Sequence, residues 1–97
     1  MLTVVETADF ARDSAKIWNE EERDRFVDWI ARNPTAGDVI PQTGGARKVR
    51  WGRNGTGKSG GVRVIYFNAD SEGTVILFAI YAKSERENMR PKAIRRK

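Results

Sequence analysis

The sequence contains no cysteine and no histidine. The first absence excludes disulfides, thiolate metal sites and thiol nucleophiles. The second removes the usual acid–base group of neutral pH and the commonest zinc ligand. Long apolar runs are missing too: the longest, Val75–Ala82, has eight residues, far short of the roughly 20 that span a bilayer. Near the N-terminus there is an acid, Glu6, and no basic segment, so nothing reads as a signal peptide. Proline is scarce, with three residues, and the whole chain has 97. That length suits one domain over residues 1–97, burying about 60–65 % of its unfolded surface. A soluble, cytoplasmic protein is expected.

What is abundant is positive charge, unevenly placed. Residues 1–46 hold five Lys/Arg against nine Asp/Glu, a net of −4, and residues 47–97 hold thirteen against four, a net of +9. Between Asp38 and Asp70 no acid occurs, while Arg47, Lys48, Arg50, Arg53, Lys58 and Arg63 all fall there. A field of one sign on part of a small domain points to a polyanionic partner, RNA or DNA first. The plainer reading is a solvated basic surface, but arginines set inside strand-like sequence favour phosphate contact.

The pattern along the chain is strand, helix, helix, strand, strand, strand. Leu2–Glu6 suits a short strand. Thr7 can cap a helix running to about Trp18, with Phe10, Ser14 and Ile17/Trp18 along one side. Asn19 with Glu22 three residues on is a capping-box pattern, opening a second helix that ends near Asn33–Pro34. Its inward stripe is Phe26, Trp29 and Ile30, and Glu20, Glu21, Glu22, Asp24 and Asp28 make an acidic outer face. A glycine- and proline-bearing loop over 34–46 precedes strands at about Arg47–Arg53, Val62–Asn68 and Thr74–Lys83. Ser84 with Glu87 repeats the capping pattern and predicts a short C-terminal helix, limited by Pro91 and followed by a basic tail. The fold class is α+β: a small, mostly antiparallel sheet with a helical hairpin on one face.

Gly52–Ser59 matches the phosphate-binding pattern G-x-x-x-x-G-K-[ST] letter for letter. That pattern works only when a helix follows, because the helix N-terminal amides hold the phosphates. Here Gly60 and Gly61 lead into Val-Arg-Val-Ile-Tyr-Phe, a strand. The segment is therefore read as a cationic connection between strands, with little side-chain bulk to keep a phosphate backbone away.

Strand alternation sorts the basic residues. Val49 and Trp51 point to the core and Lys48 and Arg50 away from it; Val62, Val64 and Tyr66 alternate with Arg63, Ile65 and Phe67. On the last strand, strict alternation groups Val75, Leu77, Ala79, Tyr81 and Lys83 against Ile76, Phe78 and Ile80. The sheet face without helices should carry the polar set, so Lys48, Arg50, Arg63, Tyr81 and Lys83 are candidates to converge there, with Lys58 reaching in. Arg63 is the sharpest signal: an arginine among apolar neighbours needs a charge partner, either an acid on another element or a ligand. Tyr81 reads either as part of that site or as a rim aromatic with a wet hydroxyl.

Such a cluster can cut RNA without histidine or metal. The ribose 2′-OH is a built-in nucleophile, so the protein need only orient it, help its proton leave and stabilise added phosphate charge. Arginines do the last by bidentate contact, a lysine among cations can exchange a proton, and a tyrosine can stack on a base or donate a proton. The alternatives are that the same face holds RNA without cutting, or docks an acidic helix.

The run Gly37-Asp38-Val39-Ile40, Thr43-Gly44-Gly45-Ala46-Arg47-Lys48-Val49-Arg50, Gly57-Lys58-Ser59-Gly60-Gly61, Val62-Arg63-Val64-Ile65-Tyr66 and Ile80-Tyr81-Ala82-Lys83 resembles HigB-type toxins of the RelE superfamily of toxin–antitoxin systems. The resemblance implies a RelE-like fold and a ribosome-dependent messenger-RNA endonuclease acting in the 30S A site, with no cofactor. It also implies a cognate antitoxin, commonly a HigA-like helix-turn-helix protein, through which operator DNA is met only indirectly. Carried over by position, the basic pair of the first long strand is Lys48 and Arg50, the phosphate-binding arginine Arg63, and the basic residue closing the last strand Lys83. Arg47, Arg53 and Lys58 are candidates for RNA contact. The tyrosine that RelE proper uses beyond its last strand has no counterpart in Ser84–Arg90. That leaves the general base open and Tyr81 as a candidate substitute. The C-terminus also ends sooner than the fuller helix of many relatives.

Overall fold

The computed structural model describes residues 2–52 and 61–82. Strand β1 (Thr3–Glu6) leads into helix α1 (Ala8–Ile17), capped by Thr7, whose side chain accepts from the Phe10 amide. Trp18 and Asn19 separate it from α2 (Glu20–Arg32). There the capping box is complete: Asn19 accepts from the Glu22 amide at 2.8 Å and Glu22 accepts from the Asn19 amide at 3.3 Å. Two-residue β2 (Asp38–Val39) and β3 (Ala46–Trp51) follow, then β4 (Val62–Ala69), a 3-10 turn at Asp70–Glu72 and β5 (Thr74–Ala82). The predicted turn Ser84 onward, with Lys83, lies outside the described residues.

The sheet has the order β1-β5-β4-β3-β2. β1 runs parallel to β5 and every other pairing is antiparallel. β2 has no sequence signal of its own, being only Asp38 and Val39 inside a loop-like stretch. Its place is set by the residues around it. Tyr66, fully buried, donates its hydroxyl to Pro34 O at 2.8 Å and accepts from the Gly37 amide at 2.9 Å. Burial pushes the Tyr66 phenol above its ordinary pKa. At Gly37 a Cβ would lie 2.8 Å from Lys48 O and 3.0 Å from the Tyr66 ring, so only glycine lets the loop approach β3 this closely. Thr43, also buried, closes the next turn by donating to Ile40 O and accepting from the Ala46 amide, with Gly44 and Gly45 at φ 78° and 105°.

Both helices cover one sheet face. Phe10, Trp18, Phe26 and Ile30 pack there on Val62, Val64, Tyr66, Val75, Leu77 and Ile80. Trp51 is pinned by α2, its ring 5.1 Å from Phe26 and 5.0 Å from Trp29. Full burial of such large apolar side chains is worth about 1.5–3 kcal/mol each, so this face is the main core.

Strict alternation fails in β5. Ile65 pairs with Ala79 but its neighbour Tyr66 pairs with Leu77, leaving Phe78 as an extra residue. This β-bulge moves every later residue to the opposite face. The expected grouping of Ala79 and Tyr81 with Val75 and Leu77 is thereby corrected. Ile80 joins the helix-side core, and Ala79 and Tyr81 turn to the other face with Ile76 and Phe78.

Candidate active site

The face opposite the helices has no described element packed over it, and it is not wholly polar. Ala46, Ile65, Phe67 and Tyr81 form a second buried cluster, joined by Ile40, Ile76, Phe78 and Ala79. Phe67 and Phe78 meet edge to face at 5.8 Å. Beside these apolar residues stand the basic ones, and the register fixes their order. Arg50 pairs with Arg63, and Arg63 pairs with Tyr81. Directly paired residues share a face with their side chains adjacent, so Arg50, Arg63 and Tyr81 form one row across β3, β4 and β5. Two residues back along β3, Lys48 pairs with Ile65 on the same face, with Asp38 of β2 on its other side.

Exposure falls along the row: Arg50 is exposed, Arg63 is 8 % exposed and Tyr81 is 2 % exposed. Tyr81 is thus not the wet rim aromatic that the sequence also allowed. Arg63 Nη1 is buried with no hydrogen-bond partner among the described residues. No acid of the described residues pairs with Arg50 or Arg63. Ion pairs on and beside the helices join Arg12 with Asp9 and Asp13, Lys16 with Asp13, Arg25 with Glu21, Arg32 with Asp28, and Arg23 with Asp24 and with Glu6 of β1. These pairs also neutralise much of the acidic helix face locally.

A buried guanidinium with an unused N–H, next to a second guanidinium, is costly unless an anion completes it. Guanidinium groups on directly paired residues, whose backbones in antiparallel strands lie about 4.5–5.5 Å apart, can together hold the non-bridging oxygens of one phosphate group. Tyr81 adds a phenol at the inner end. The arrangement offers charge stabilisation and a hydroxyl; among the described residues no group of three or more acids could hold a metal ion.

Lys48, Arg50, Arg63 and Tyr81 are therefore brought to one face. Arg47 is not brought to that face. It sits on the other side of β3, alternating with Lys48, and its guanidinium donates to Gly37 O at 2.7 Å and Thr35 O at 3.4 Å. That job is structural: it ties the 34–37 loop to the sheet. Arg53, Lys58 and Lys83 lie outside the described residues. β4 begins at Val62, so a strand follows the Gly52–Ser59 match and the element order of a nucleotide-binding loop is absent. Sequence reasoning missed Asp38, which pairs with Lys48 at the edge of the basic face. A strand of two residues leaves no periodicity by which to place it.

No protein-family model matches the chain. Solved structures do. An E. coli RelE double mutant in the free state superposes with a TM-score of 0.65 at 12 % identity, over 96 % of this chain and 92 % of that one. The intact E. coli RelBE toxin–antitoxin complex gives 0.61 at 13 % identity, over 82 % of this chain and 94 % of the matched one. A metal-bound toxin from Helicobacter pylori gives 0.51 at 16 % identity, over 88 % and 98 %. With the element order and sheet described above, these likenesses give the chain the fold of the RelE toxins.

Proposed function

We propose that residues 1–97 form the toxin of a toxin–antitoxin pair, a HigB-type member of the RelE superfamily that cleaves messenger RNA on the ribosome. The observation that carries this reading is the buried Arg63, its Nη1 unpartnered, in one row with Arg50 and Tyr81. The RelE fold and the motif run from Gly37 to Lys83 support it.

In this reading the ribose 2′-oxygen attacks the adjacent phosphorus and the P–O5′ bond breaks. The products are a 2′,3′-cyclic phosphate and a 5′-hydroxyl. Arg63 and Arg50 hold the non-bridging oxygens, where charge grows in the transition state, and so act on the transition state more than on the bound ground state. The 2′-OH proton leaves to a base, for which Lys48, Lys83 and Tyr81 are the candidates, and a proton reaches O5′ as the bond breaks. Lys83 also serves charge neutralisation, and Lys58 and Arg53 are assigned to RNA anchoring. The partner is a cognate antitoxin, HigA-like in this branch, and the place of action is the cytoplasm; no described helix is long and apolar enough to cross a membrane.

The test is induced expression of the wild type and Arg63→Ala, with growth followed and 5′-hydroxyl RNA ends mapped. New ends inside translated codons, lost in the variant, are expected. Growth arrest without new ends would replace the nuclease by a module that holds RNA or the ribosome, and neither arrest nor ends from a folded protein would overturn the reading.

A further inference from the structure

The Arg50–Arg63–Tyr81 row exists only because β5 contains a bulge, and the bulge is held from the β1 side of β5, where Thr7 follows directly after Glu6. Thr7 caps α1, accepting from the Phe10 amide at 3.1 Å. The same hydroxyl donates to Phe78 O at 3.0 Å, and the Thr7 amide donates to Leu77 O at 3.0 Å. One residue thus grips the extra residue and the one before it, while fixing the helix that leads away. Phe78 is the residue inserted between the pairs Tyr66–Leu77 and Ile65–Ala79.

We infer that Thr7 is a positioning residue for the active site: by clamping the Phe78 bulge it sets which face Tyr81 occupies. The inference rests on the proposed function for its consequence, though not for its geometry. In a regular strand, side chains alternate with period two. Continued without a bulge from Val75 and Leu77, that alternation would put Tyr81 among the helix-side core residues and Ile80 beside Arg63. The bulge inverts this, and bulges recur beside active sites because they re-aim side chains. Within a bulge the ladder is interrupted, so the Phe78 carbonyl needs an acceptor's partner from elsewhere; the Thr7 hydroxyl supplies it.

Two variants separate this role from ordinary helix capping. Thr7→Ser keeps a hydroxyl that both donates and accepts. Thr7→Asp keeps a good N-cap acceptor and loses the donor to Phe78 O. The expected result is that both fold with melting temperatures close to wild type. Thr7→Ser retains cleavage, and Thr7→Asp loses kcat by about tenfold to a hundredfold, the scale of a small displacement at a reacting centre, with KM little changed. A folded Thr7→Asp protein that cleaves like wild type overturns the inference.

Deleting Phe78 provides a second, independent arm. The deletion makes β5 regular while leaving Ala79 opposite Ile65 and Tyr81 opposite Arg63, so the row no longer needs a clamp. The deletion variant is expected to be insensitive to Thr7→Asp. Equal impairment by Thr7→Asp with and without the deletion overturns the inference. Nuclear Overhauser contacts between Tyr81 and Arg63, present in wild type and weakened in Thr7→Asp, test the geometry directly. They do so even if the wild-type protein proves not to cleave RNA, an outcome that would count against the proposed function alone. Unchanged Tyr81–Arg63 contacts in folded Thr7→Asp overturn the clamp.

Discussion

Replacing Arg63 by methionine should abolish activity and make the protein more stable. In wild type the guanidinium is 8 % exposed, with a buried Nη1 that no described residue satisfies, and a second arginine is its direct cross-strand partner. An unsatisfied buried donor costs about 1–3 kcal/mol, and like charges directly opposed cost a further ~0.2–1 kcal/mol. Methionine retains most of the aliphatic stem and removes both terms, much as apolar replacement of buried ionic groups elsewhere is often stabilising by about 1–4 kcal/mol. The net expectation for Arg63→Met is a gain of about 1–3 kcal/mol, or at least ~5 °C in melting temperature for a domain of this size. The assay is thermal and urea unfolding in a buffer free of phosphate and sulfate. Added inorganic phosphate should then raise the melting temperature of wild type and leave Arg63→Met unchanged, because a ligand bound only to the native state stabilises it. A fall of 1 kcal/mol or more on substitution would refute the reasoning. It would mean that Arg63 is held by a structural partner, and the phosphate reading of the row would lose its basis.

Other substitutions separate the two faces of β3. Arg50→Ala should lower kcat at least about tenfold with stability unchanged or slightly raised, through loss of a transition-state contact. Arg47→Ala should leave cleavage per folded molecule intact but cost about 1–2 kcal/mol, read by urea unfolding, since its guanidinium ties down Thr35 O and Gly37 O. Tyr66→Phe removes the hydroxyl that bridges Pro34 O and the Gly37 amide, at about 1–3 kcal/mol. Because burial raises the folded-state pKa of Tyr66 above the ordinary value of 10.0, its contribution is complete below that value. It is lost as pH rises from there through the folded pKa, where the unfolded chain sheds the proton first. The alkaline fall in stability should be shallower in Tyr66→Phe. Gly37→Ala should cost about 1–3 kcal/mol through overpacking against Lys48 O and the Tyr66 ring, visible as a lower urea midpoint.

The helices and the three long strands were legible because each carries a local signal. Thr7 and Asn19 cap where their side chains predict, and Arg63 stands out against Val62, Val64 and Ile65 in the sequence alone. The face assignment of Lys48 and Arg50 followed from period-two alternation, which holds through β3 and β4. It failed for Tyr81 because nothing local in Thr74–Ala82 marks a bulge: the segment contains no glycine and no break in its apolar run. The irregularity is imposed by Thr7, 71 residues away in sequence from Phe78. The role of Arg47 was illegible for a similar reason. Its neighbours in sequence are basic, but its partners are the carbonyls of Thr35 and Gly37, and those become close only when Tyr66 draws that loop onto the sheet.

The parallel pairing of β1 with β5 has a bearing on synthesis. β1 waits for β5: Thr3 to Glu6 take their register from Thr74 to Leu77, so the chain must close a long loop before β1 has a strand partner, a slow and non-local step. Tyr81, the last member of the row, arrives in the same strand. A chain still emerging from the ribosome, or one cut short before Thr74, lacks β5 and with it Tyr81, the third member of the row. The order of translation therefore delays the finished site until after the residues that build it have left the tunnel, and truncated products should be inert as well as unstable.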